Sequence, residues 1–155
     1  MDIISHRALD ARLLDRVARA ALGAATCGVS SGADSRIHLL TANPPDQRRA
    51  SDVLNHFGRL QLEASTLSLS QGDADPVITC ADEQIAADDQ LGYLTLRDGE
   101  ESERGRQAIT EGAASISLRQ PAPGDYTVLV YRLTGNFASG ILRIRVDPAQ
   151  PFKSN

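Results

Sequence analysis

The stretch "DYTVLVYRLTGNFASGILRIRV", residues 125–146, decides the fold class because its two halves have the same period and a turn sequence between them. Side chains of one parity are apolar in both halves: Tyr126, Val128, Val130, Leu142, Ile144 and Val146. Alternation with period two is typical of a strand with one buried face. The intervening "TGNFAS" offers Gly135 and Asn136 for the positive φ values of a tight turn. The stretch therefore predicts an antiparallel β-hairpin.

Short apolar segments with the same period precede this hairpin and are separated by glycine, proline and aspartate turns. They lie at 36–41, 59–70, 77–80, 91–97 and 114–119. Within 59–70 the apolar parity changes between Leu62 and Leu67, so we expect a bulge or tight turn near 64–66. About seven or eight short strands with short connections predict a mainly β protein, an antiparallel β-sandwich of Ig-like or jelly-roll-like type.

One amphipathic N-terminal helix is predicted before the sandwich. From Ser5 to Leu22 apolar residues recur at helical spacing, with Ser5 as N-cap and Gly23 at the end. A segment rich in small residues follows, which favours a flexible linker. The predicted organisation is a helix at 1–24, a linker at 25–35, a β-sandwich at 36–146 and a C-terminal tail at 147–155. We expect the helix and the tail to be detachable from the sandwich.

Two charged stretches are predicted to be exposed loops. "DQRRASD", residues 46–52, follows two prolines that end a strand, and "RDGEESERGRQ", residues 97–107, begins with an Asp-Gly turn. Loops on a rigid scaffold often carry binding, so both are candidate contact surfaces, as is the apolar stripe of the helix. The candidates for partner contact are Leu9, Leu13, Val17, Arg48, Arg49, Asp52, Glu100 and Arg104.

Composition argues against several classes of partner. The 155 residues include 41% hydrophobic and 23% charged residues, which is typical of one soluble globular domain. The net charge is −4 and lysine and arginine form no block, so nucleic acid is not expected as a partner. Charged residues interrupt the N-terminal segment, so we expect neither a signal peptide nor a membrane span, and we expect folding in the cytoplasm.

No motif predicts chemistry. His6, His38 and His56 lack the close spacing of metal ligands, and the acidic pairs such as Asp73 and Asp75 are explained by turns. The two cysteines are far apart and are interpreted as small buried thiols. Aromatic residues are 4% of the chain and tryptophan is absent. We therefore predict that the protein is not an enzyme and has no catalytic residue, metal site, cofactor or small-molecule substrate.

The order of these parts resembles that of small β-rich structural proteins encoded among the virion genes of tailed bacteriophages and prophages. The resemblance rests on "LTANPPDQRRASDVLNHFGRLQLE" at 40–63 and "AADDQLGYLTLRDGEES" at 86–102. The group has a strand ending in threonine, then a proline and an Ala-Ser or Ala-Asp loop, and later an Asp-Gly hairpin. Residues at matching places are Thr41, Pro44, Asp46, Ala50, Ser51, Asp98 and Gly99, whereas Ala42 replaces the usual glycine.

The last hairpin, with "PGDYTVLV" at 123–130 and "SGILRIRV" at 139–146, resembles the last strands of bacterial Ig-like modules. Together the resemblances imply a structural component of a phage virion, in the tail, the neck or the capsid-decorating layer. They imply location in the virion, assembly with other virion proteins and a homo-oligomer within the particle. An Ig-like adhesion or carbohydrate-contact module of a larger assembly is the alternative.

Overall fold

The computed structural model describes residues 2–5, 11–22, 26–29, 37–40, 47–81, 85 and 88–149. Two helices lie in these ranges, α1 (Ala11–Leu22) and α2 (Gln47–Asn55). The strands in these ranges are β1 (Asp2–Ser5), β2 (Thr26–Val29), β3 (Ile37–Leu40), β4 (Leu62–Ala64), β5 (Ser68–Ser70), β6 (Val77–Ala81), β7 (Gln90–Arg97), β8 (Glu100–Ala108), β9 (Ala113–Ser117), β10 (Gly124–Arg132) and β11 (Ser139–Asp147). The prediction of a mainly β protein is confirmed.

The predicted hairpin forms the middle of a five-stranded sheet. Strands β10 and β11 pair in antiparallel register from Gly124 opposite Val146 to Tyr131 opposite Ser139. The full order is β5-β11-β10-β7-β8, in which β5 runs parallel to β11 and the other pairs are antiparallel. Gly135 has a φ of 66°, as predicted for the turn, but the second left-handed residue is Phe137, with a φ of 52°, and not Asn136.

A three-stranded antiparallel sheet, β4-β6-β9, packs against one face of this sheet. Its buried residues Ile78, Cys80 and Ile116 share a core with Val128 and Ile144 of the larger sheet. Cys80 is a buried thiol, as predicted, and the side chain of Cys27 lies outside the described residues. We call the space between these two sheets the intersheet core.

The segment that enters this pair of sheets first, residues 62–70, is divided into two short strands, one in each sheet. β4 pairs with β6, whereas β5 pairs with β11. The chain crosses at 65–67, where the Ser65 N–H donates to the Val77 carbonyl and the Thr66 hydroxyl donates to the Ser68 carbonyl at 2.7 Å. This break lies where the apolar parity changes, so the predicted interruption is confirmed.

Helices α1 and α2 cover the other face of the five-stranded sheet. Leu14, Val17 and Leu54 are fully buried there, together with Leu94 of β7 and Leu129 of β10. The expectation of a detachable helix is therefore wrong. The reason is that β7 and β10 carry apolar side chains of both parities, so each of their faces needs an apolar layer. We call this second interior the helix-side core.

The N-terminal boundaries also differ from the prediction. Helix α1 begins at Ala11, and Ser5 is the last residue of β1, so Ser5 is not its N-cap. Thr26–Val29 of the predicted linker form β2, which joins β1 and β3 in a separate sheet of order β1-β3-β2. The sequence of this segment lacks the period of a core strand, which is why it favours a linker.

Both predicted loops contain regular structure. Residues 47–52 of "DQRRASD" belong to α2, because Ala50, Val53, Leu54 and Phe57 recur at helical spacing and enter the helix-side core. The Asp98–Gly99 turn is confirmed, with φ values of 51° and 88°, but Glu100 begins β8. β8 is the edge strand of the five-stranded sheet and is almost wholly exposed. Its charged side chains protect the edge from pairing with a strand of another chain.

Candidate functional site

Two of the predicted contact residues are part of the chain's own interior. Leu13 and Val17 of α1 are 7% and 0% exposed and belong to the helix-side core. This corrects the expectation of an exposed apolar stripe, since the stripe is what holds α1 on the sheet. Leu9 lies outside the described residues.

The predicted residues of the first charged stretch lie on α2 rather than in a loop. Arg48 and Arg49 are exposed, and Asp52, one turn later, is half-buried. Asn55 Nδ2 donates to Ser51 Oγ at 3.2 Å on the same helix. The outer surface of α2 is therefore polar and partly ordered by its own side chains.

The predicted residues of the second stretch lie on the edge strand β8. Glu100 and Arg104 are both exposed, and Arg104 Nε and Nη2 donate to Glu101 Oε1 at 2.9 and 2.7 Å. An exposed pair of this kind contributes little stability. The described candidates thus lie on three separate elements, α1, α2 and β8, and no single surface patch is formed from them.

A surface that the sequence interpretation missed lies on the helix side of β10 and β11. Residues directly opposite each other in a sheet share a face. Leu129 and Ile141 face each other beneath the helices, but the next pairs toward the Asp98–Gly99 turn are Thr127 with Arg143 and Asp125 with Arg145. We call Asp125, Thr127, Arg143 and Arg145 the open strip, because the helix-side core ends before it.

Two adjoining clefts border the open strip. The first, of about 430 Å³, is lined by Arg12, Leu13, Asp15, Arg16, Leu96, Gly99, Thr127 and Arg143. The second, of about 650 Å³, is lined by Leu67, Asp98, Gly99, Asp125, Tyr126, Thr127, Arg143, Ile144 and Arg145. Gly99, Thr127 and Arg143 belong to both. Both volumes fall within the range of binding clefts.

The first cleft has a basic lining. Three arginines, Arg12, Arg16 and Arg143, and one carboxylate, Asp15, line it. The Asp15 carboxylate also accepts from Arg19 Nε at 3.0 Å, so part of its charge is shared with an arginine that is not in this lining, and the lining has three arginines for one carboxylate. The cleft therefore favours a group with negative charge.

The second cleft is held by hydrogen bonds between the turn and the start of β10. The Asp98 carboxylate accepts the Asp125 N–H at 2.9 Å, and the Asp98 N–H donates to the Asp125 carbonyl at 2.8 Å. Arg145 Nη1 donates to Asp125 Oδ1 at 2.9 Å and its Nε donates to Asp147 Oδ1 at 3.1 Å. These bonds to Asp125 and then Asp147 raise the pKa of Arg145. The charges at this end thus lie in ion pairs at the solvent-exposed surface.

An exposed leucine lies at the rim of the second cleft. Leu67 is 58% exposed, and with Val77 it forms the set of exposed large hydrophobic residues in the described part of the chain. Its carbonyl accepts the Arg145 N–H at 2.9 Å, which fixes the backbone at the crossing between β4 and β5. An exposed apolar side chain near arginines suits a protein contact surface, in which arginine is enriched.

A buried ion pair closes the opposite end of the intersheet core. Arg132 Nε and Nη2 donate to the two Asp88 carboxylate oxygens at 2.7 and 3.0 Å, and the Thr134 hydroxyl donates to Asp88 Oδ1. Arg132 Nη1 donates to Asn136 Oδ1 at 3.1 Å. Burial alone would raise the pKa of Asp88, but the bonds from Arg132 and Thr134 and the charge of Arg132 outweigh it and lower the pKa. This cluster joins the start of β7 to the last hairpin and serves the fold.

A small pocket opens from the intersheet core beside β8. It has a volume of about 190 Å³ and is lined by Thr95, Ser102, Glu103, Leu118, Arg119, Gln120, Pro121, Ala122 and Tyr126. Among the described residues, Thr95 Oγ1 is the buried side-chain oxygen or nitrogen without a hydrogen-bond partner. We call this space the Thr95 pocket.

Of the acidic residues considered for metal binding, Asp73 accepts a bond within its own turn, whereas Asp75 and Asp88 accept bonds from distant segments of the chain. Asp73 accepts the Ser70 N–H at 2.8 Å and Asp75 accepts the Gln120 N–H at 2.9 Å. Within the described ranges, histidine, cysteine and acidic residues form no group of three or more that could hold a metal ion. Neither of the described helices is long and apolar enough to cross a membrane.

The strand arrangement defines a protein built on two facing sheets, and comparison with known proteins adds little to that. No family model matches the chain, and no curated protein matches it. Among solved structures, the CARDB domain of a Pyrococcus furiosus protein, crystallised in complex with di-metal ions, is similar at 9% identity and a TM-score of 0.35. The match covers 61% of this chain and 97% of that chain.

Part of the missed surface had a signal in the sequence. Arg143 and Arg145 break the apolar parity of "GILRIRV" on one face, which indicates where the cover of that face ends. The sequence contained no signal for the Thr95 pocket or for the Asp88–Arg132 pair, because each joins segments that are distant along the chain.

Proposed function

We propose that this chain is an immunoglobulin-like module that contacts another protein chain through the open strip and its two clefts. The order of strands supports the Ig-like assignment. The chain passes from β6 in one sheet to β7 and β8 in the other, returns for β9 and ends with β10 and β11. Alternation between two facing sheets with a divided first strand is the pattern of Ig-like sandwiches.

The observation that carries the contact proposal is the open strip itself. Its charged residues Asp125 and Arg145 are hydrogen-bonded to each other, a basic cleft adjoins it, and the exposed Leu67 lies at the rim of the second cleft. Arginine is enriched in protein interfaces and at their hot spots, and the exposed leucine adds apolar contact area beside the arginines. The excess of arginine in the first cleft favours an acidic segment of the partner.

The setting we propose is the virion of a tailed phage, where the chain acts as a structural component of the tail, the neck or the capsid-decorating layer. The resemblance supports this setting through its second part, the Asp98–Gly99 hairpin in 86–102, whereas Ala50 and Ser51 of its first part lie in α2 and not in a loop. The partners are then other virion proteins or further copies of this chain, and the protein is a non-enzymatic part of the particle. Repeated copies in a symmetric particle each need such a contact surface.

Mass spectrometry of purified particles, with tagged variants, tests both parts of this proposal. We expect the wild-type chain in the particles and about tenfold less of Arg143→Glu, since tenfold corresponds to about 1.4 kcal/mol of contact free energy. Arg59→Glu is the matched control, because Arg59 is exposed and lies outside both clefts.

The virion setting and the contact surface are tested independently by this experiment. Absence of the wild-type chain from particles, while it is present in the cells, contradicts the virion setting. Equal incorporation of Arg143→Glu and Arg59→Glu, with both variants folded by circular dichroism, contradicts the assignment of the open strip as the contact surface.

The second candidate function is an Ig-like adhesion or carbohydrate-contact module. The observation that favours it is the Thr95 pocket, which has hydrogen-bonding groups at its rim and apolar groups at its floor. A glycan array separates the two candidates, since a contact module for protein alone gives no signal on it.

A further inference from the structure

We propose that the Thr95 pocket binds a single ring of a neutral, hydroxyl-rich ligand, that is, one sugar residue. This inference deepens the second candidate function and rests on it. It is independent of the open strip and of a virion setting, because the Thr95 pocket shares only Tyr126 with the clefts of the open strip.

Thr95 is the starting point because its hydroxyl is both buried and unpaired. The residue is 1% exposed, and its Oγ1 has no partner within the described residues. Thr95 lies directly opposite Val128, a residue of the intersheet core, so its side chain points to the intersheet side. Buried polar atoms of native proteins almost always have a partner, so this hydroxyl is suited to a partner from outside the chain.

The rim of the pocket provides both hydrogen-bond donors and acceptors. Glu103 accepts from the Tyr93 hydroxyl at 3.2 Å and keeps further acceptor capacity, whereas Arg119 can only donate. Ser102 Oγ donates to the Thr95 carbonyl at 3.2 Å, so the hydroxyl oxygen can still accept. The opposite charges of Glu103 and Arg119 cancel, which favours a neutral ligand whose groups both donate and accept. Hydroxyl groups have that property.

The floor of the pocket is apolar and fixed. Leu118 is 3% exposed, Pro121 is buried, and the Tyr126 hydroxyl donates to the Ala122 carbonyl at 2.8 Å, which holds the tyrosine ring in place. A sugar ring presents C–H groups to such a floor while its hydroxyls reach the rim. The volume of about 190 Å³ lies below the roughly 300 Å³ at which drug-sized pockets begin, so it accommodates one ring.

Titration of the full-length, ¹⁵N-labelled protein with glucose, galactose, mannose and N-acetylglucosamine tests the inference by nuclear magnetic resonance. We expect saturable shifts of the Thr95, Ser102 and Gln120 amide signals with at least one of these sugars. Thr95→Val removes the unpaired hydroxyl without leaving another buried group unpaired. It should weaken binding by about tenfold and leave the melting temperature equal or higher.

Thr79→Val is the matched control. It makes the same substitution on β6, where the alternating burial pattern puts position 79 on the outer face of the three-stranded sheet. This variant should bind the sugar with wild-type affinity. Glycine and serine are the comparison ligands, since a zwitterion matches the charges of Glu103 and Arg119 as well as a neutral ligand does.

Three results would overturn the inference. They are the absence of saturable shifts with all four sugars, equal affinity of Thr95→Val and the wild type, and binding of glycine or serine in place of the sugars. None of these results bears on incorporation into particles, so the contact proposal for the open strip would stand or fall by its own experiment.

Discussion

The two faces of the five-stranded sheet are both buried, but they are covered in different ways. One face lies against three strands, which extend the intersheet core as far as the Asp88–Arg132 pair. The other face lies against two helices, which cover Leu94 and Leu129 and leave the open strip exposed. The comparison shows that the incomplete cover, and not a special loop, creates the candidate contact surface.

The same difference explains the pattern of apolar residues in the strands. β10, in the middle of the sheet, is buried from Val128 to Arg132 on both parities. β11 alternates, with Arg143 and Arg145 exposed and Ile144 and Val146 buried. Alternation therefore marks the part of the sheet that is covered on one face only.

Removal of α1 from the helix layer should have the largest effect on this comparison. Deleting residues 1–22 removes Leu14 and Val17 and exposes Leu94 and Leu129, and each fully buried residue of this size contributes about 1.5–3 kcal/mol. Since domains are stable by only about 5–15 kcal/mol, we expect loss of the cooperative thermal transition in circular dichroism. A truncated chain that unfolds cooperatively near the wild-type melting temperature would show that the helix face does not need its cover.

Breaking the buried ion pair should have the next largest effect, at the far end of the intersheet core. Arg132→Met leaves the Asp88 carboxylate buried without its cation, and we expect the free energy of unfolding in urea to fall by about 3–5 kcal/mol. The control is Arg132→Met combined with Asp88→Asn, which should recover part of this loss because no buried charge stays unpaired. Equal losses in the single and double variants would contradict the role of the charge.

The same pair predicts a dependence of stability on pH. The pKa of Asp88 is lowered in the folded protein, so its contribution is present above the unfolded value of about 3.9 and is lost as the pH falls through the folded value. The urea midpoint should therefore fall more steeply below about pH 4 in the wild type than in Asp88→Asn.

Two glycines make room for a tyrosine on each face, and their replacement should have the smallest effects of this series. A Cβ at Gly92 would overlap the ring of Tyr131 in the helix-side core, whereas a Cβ at Gly105 would lie 2.7 Å from the Tyr93 hydroxyl at the exposed edge. Tyr131 is 4% exposed and Tyr93 is half-buried, so only Tyr93 can move away. We expect thermal melts to show that the free energy of unfolding falls by about 1–3 kcal/mol for Gly92→Ala and by less for Gly105→Ala.

The reverse order for these two variants would indicate that the edge is packed more tightly than the helix side.

Local patterns in the sequence predicted the elements whose stability is local. The hairpin at 125–146, the Asp98–Gly99 turn and the break at 64–66 were all predicted from alternation and turn residues, and all are confirmed. Helix α2 was missed although Ala50, Val53 and Leu54 have helical spacing, because the two preceding prolines and the charges favoured a loop. β8 was missed because an exposed edge strand has no apolar period.

The candidate sites depend on how the helices and sheets pack against one another, and local sequence patterns do not predict that packing. Leu13 and Val17 have the spacing of a contact stripe, but nothing in their segment indicates that the partner is the chain's own sheet. Thr95 is one of several threonines in strands, and it becomes notable only when β7 and β10 pair and the 118–122 segment closes over it.

The divided first strand has a mechanical consequence. β5 and β11 run parallel, with Ser68 opposite Arg145 and Ser70 opposite Asp147. A force that pulls the chain before Ser68 away from the chain after Asp147 therefore acts along these two strands in opposite directions. Under such shear the backbone hydrogen bonds between them share the load and must break together, whereas a hairpin pulled at its open end breaks one bond at a time. The joint between β5 and β11 would thus resist tension applied between the chain before Ser68 and the chain after Asp147.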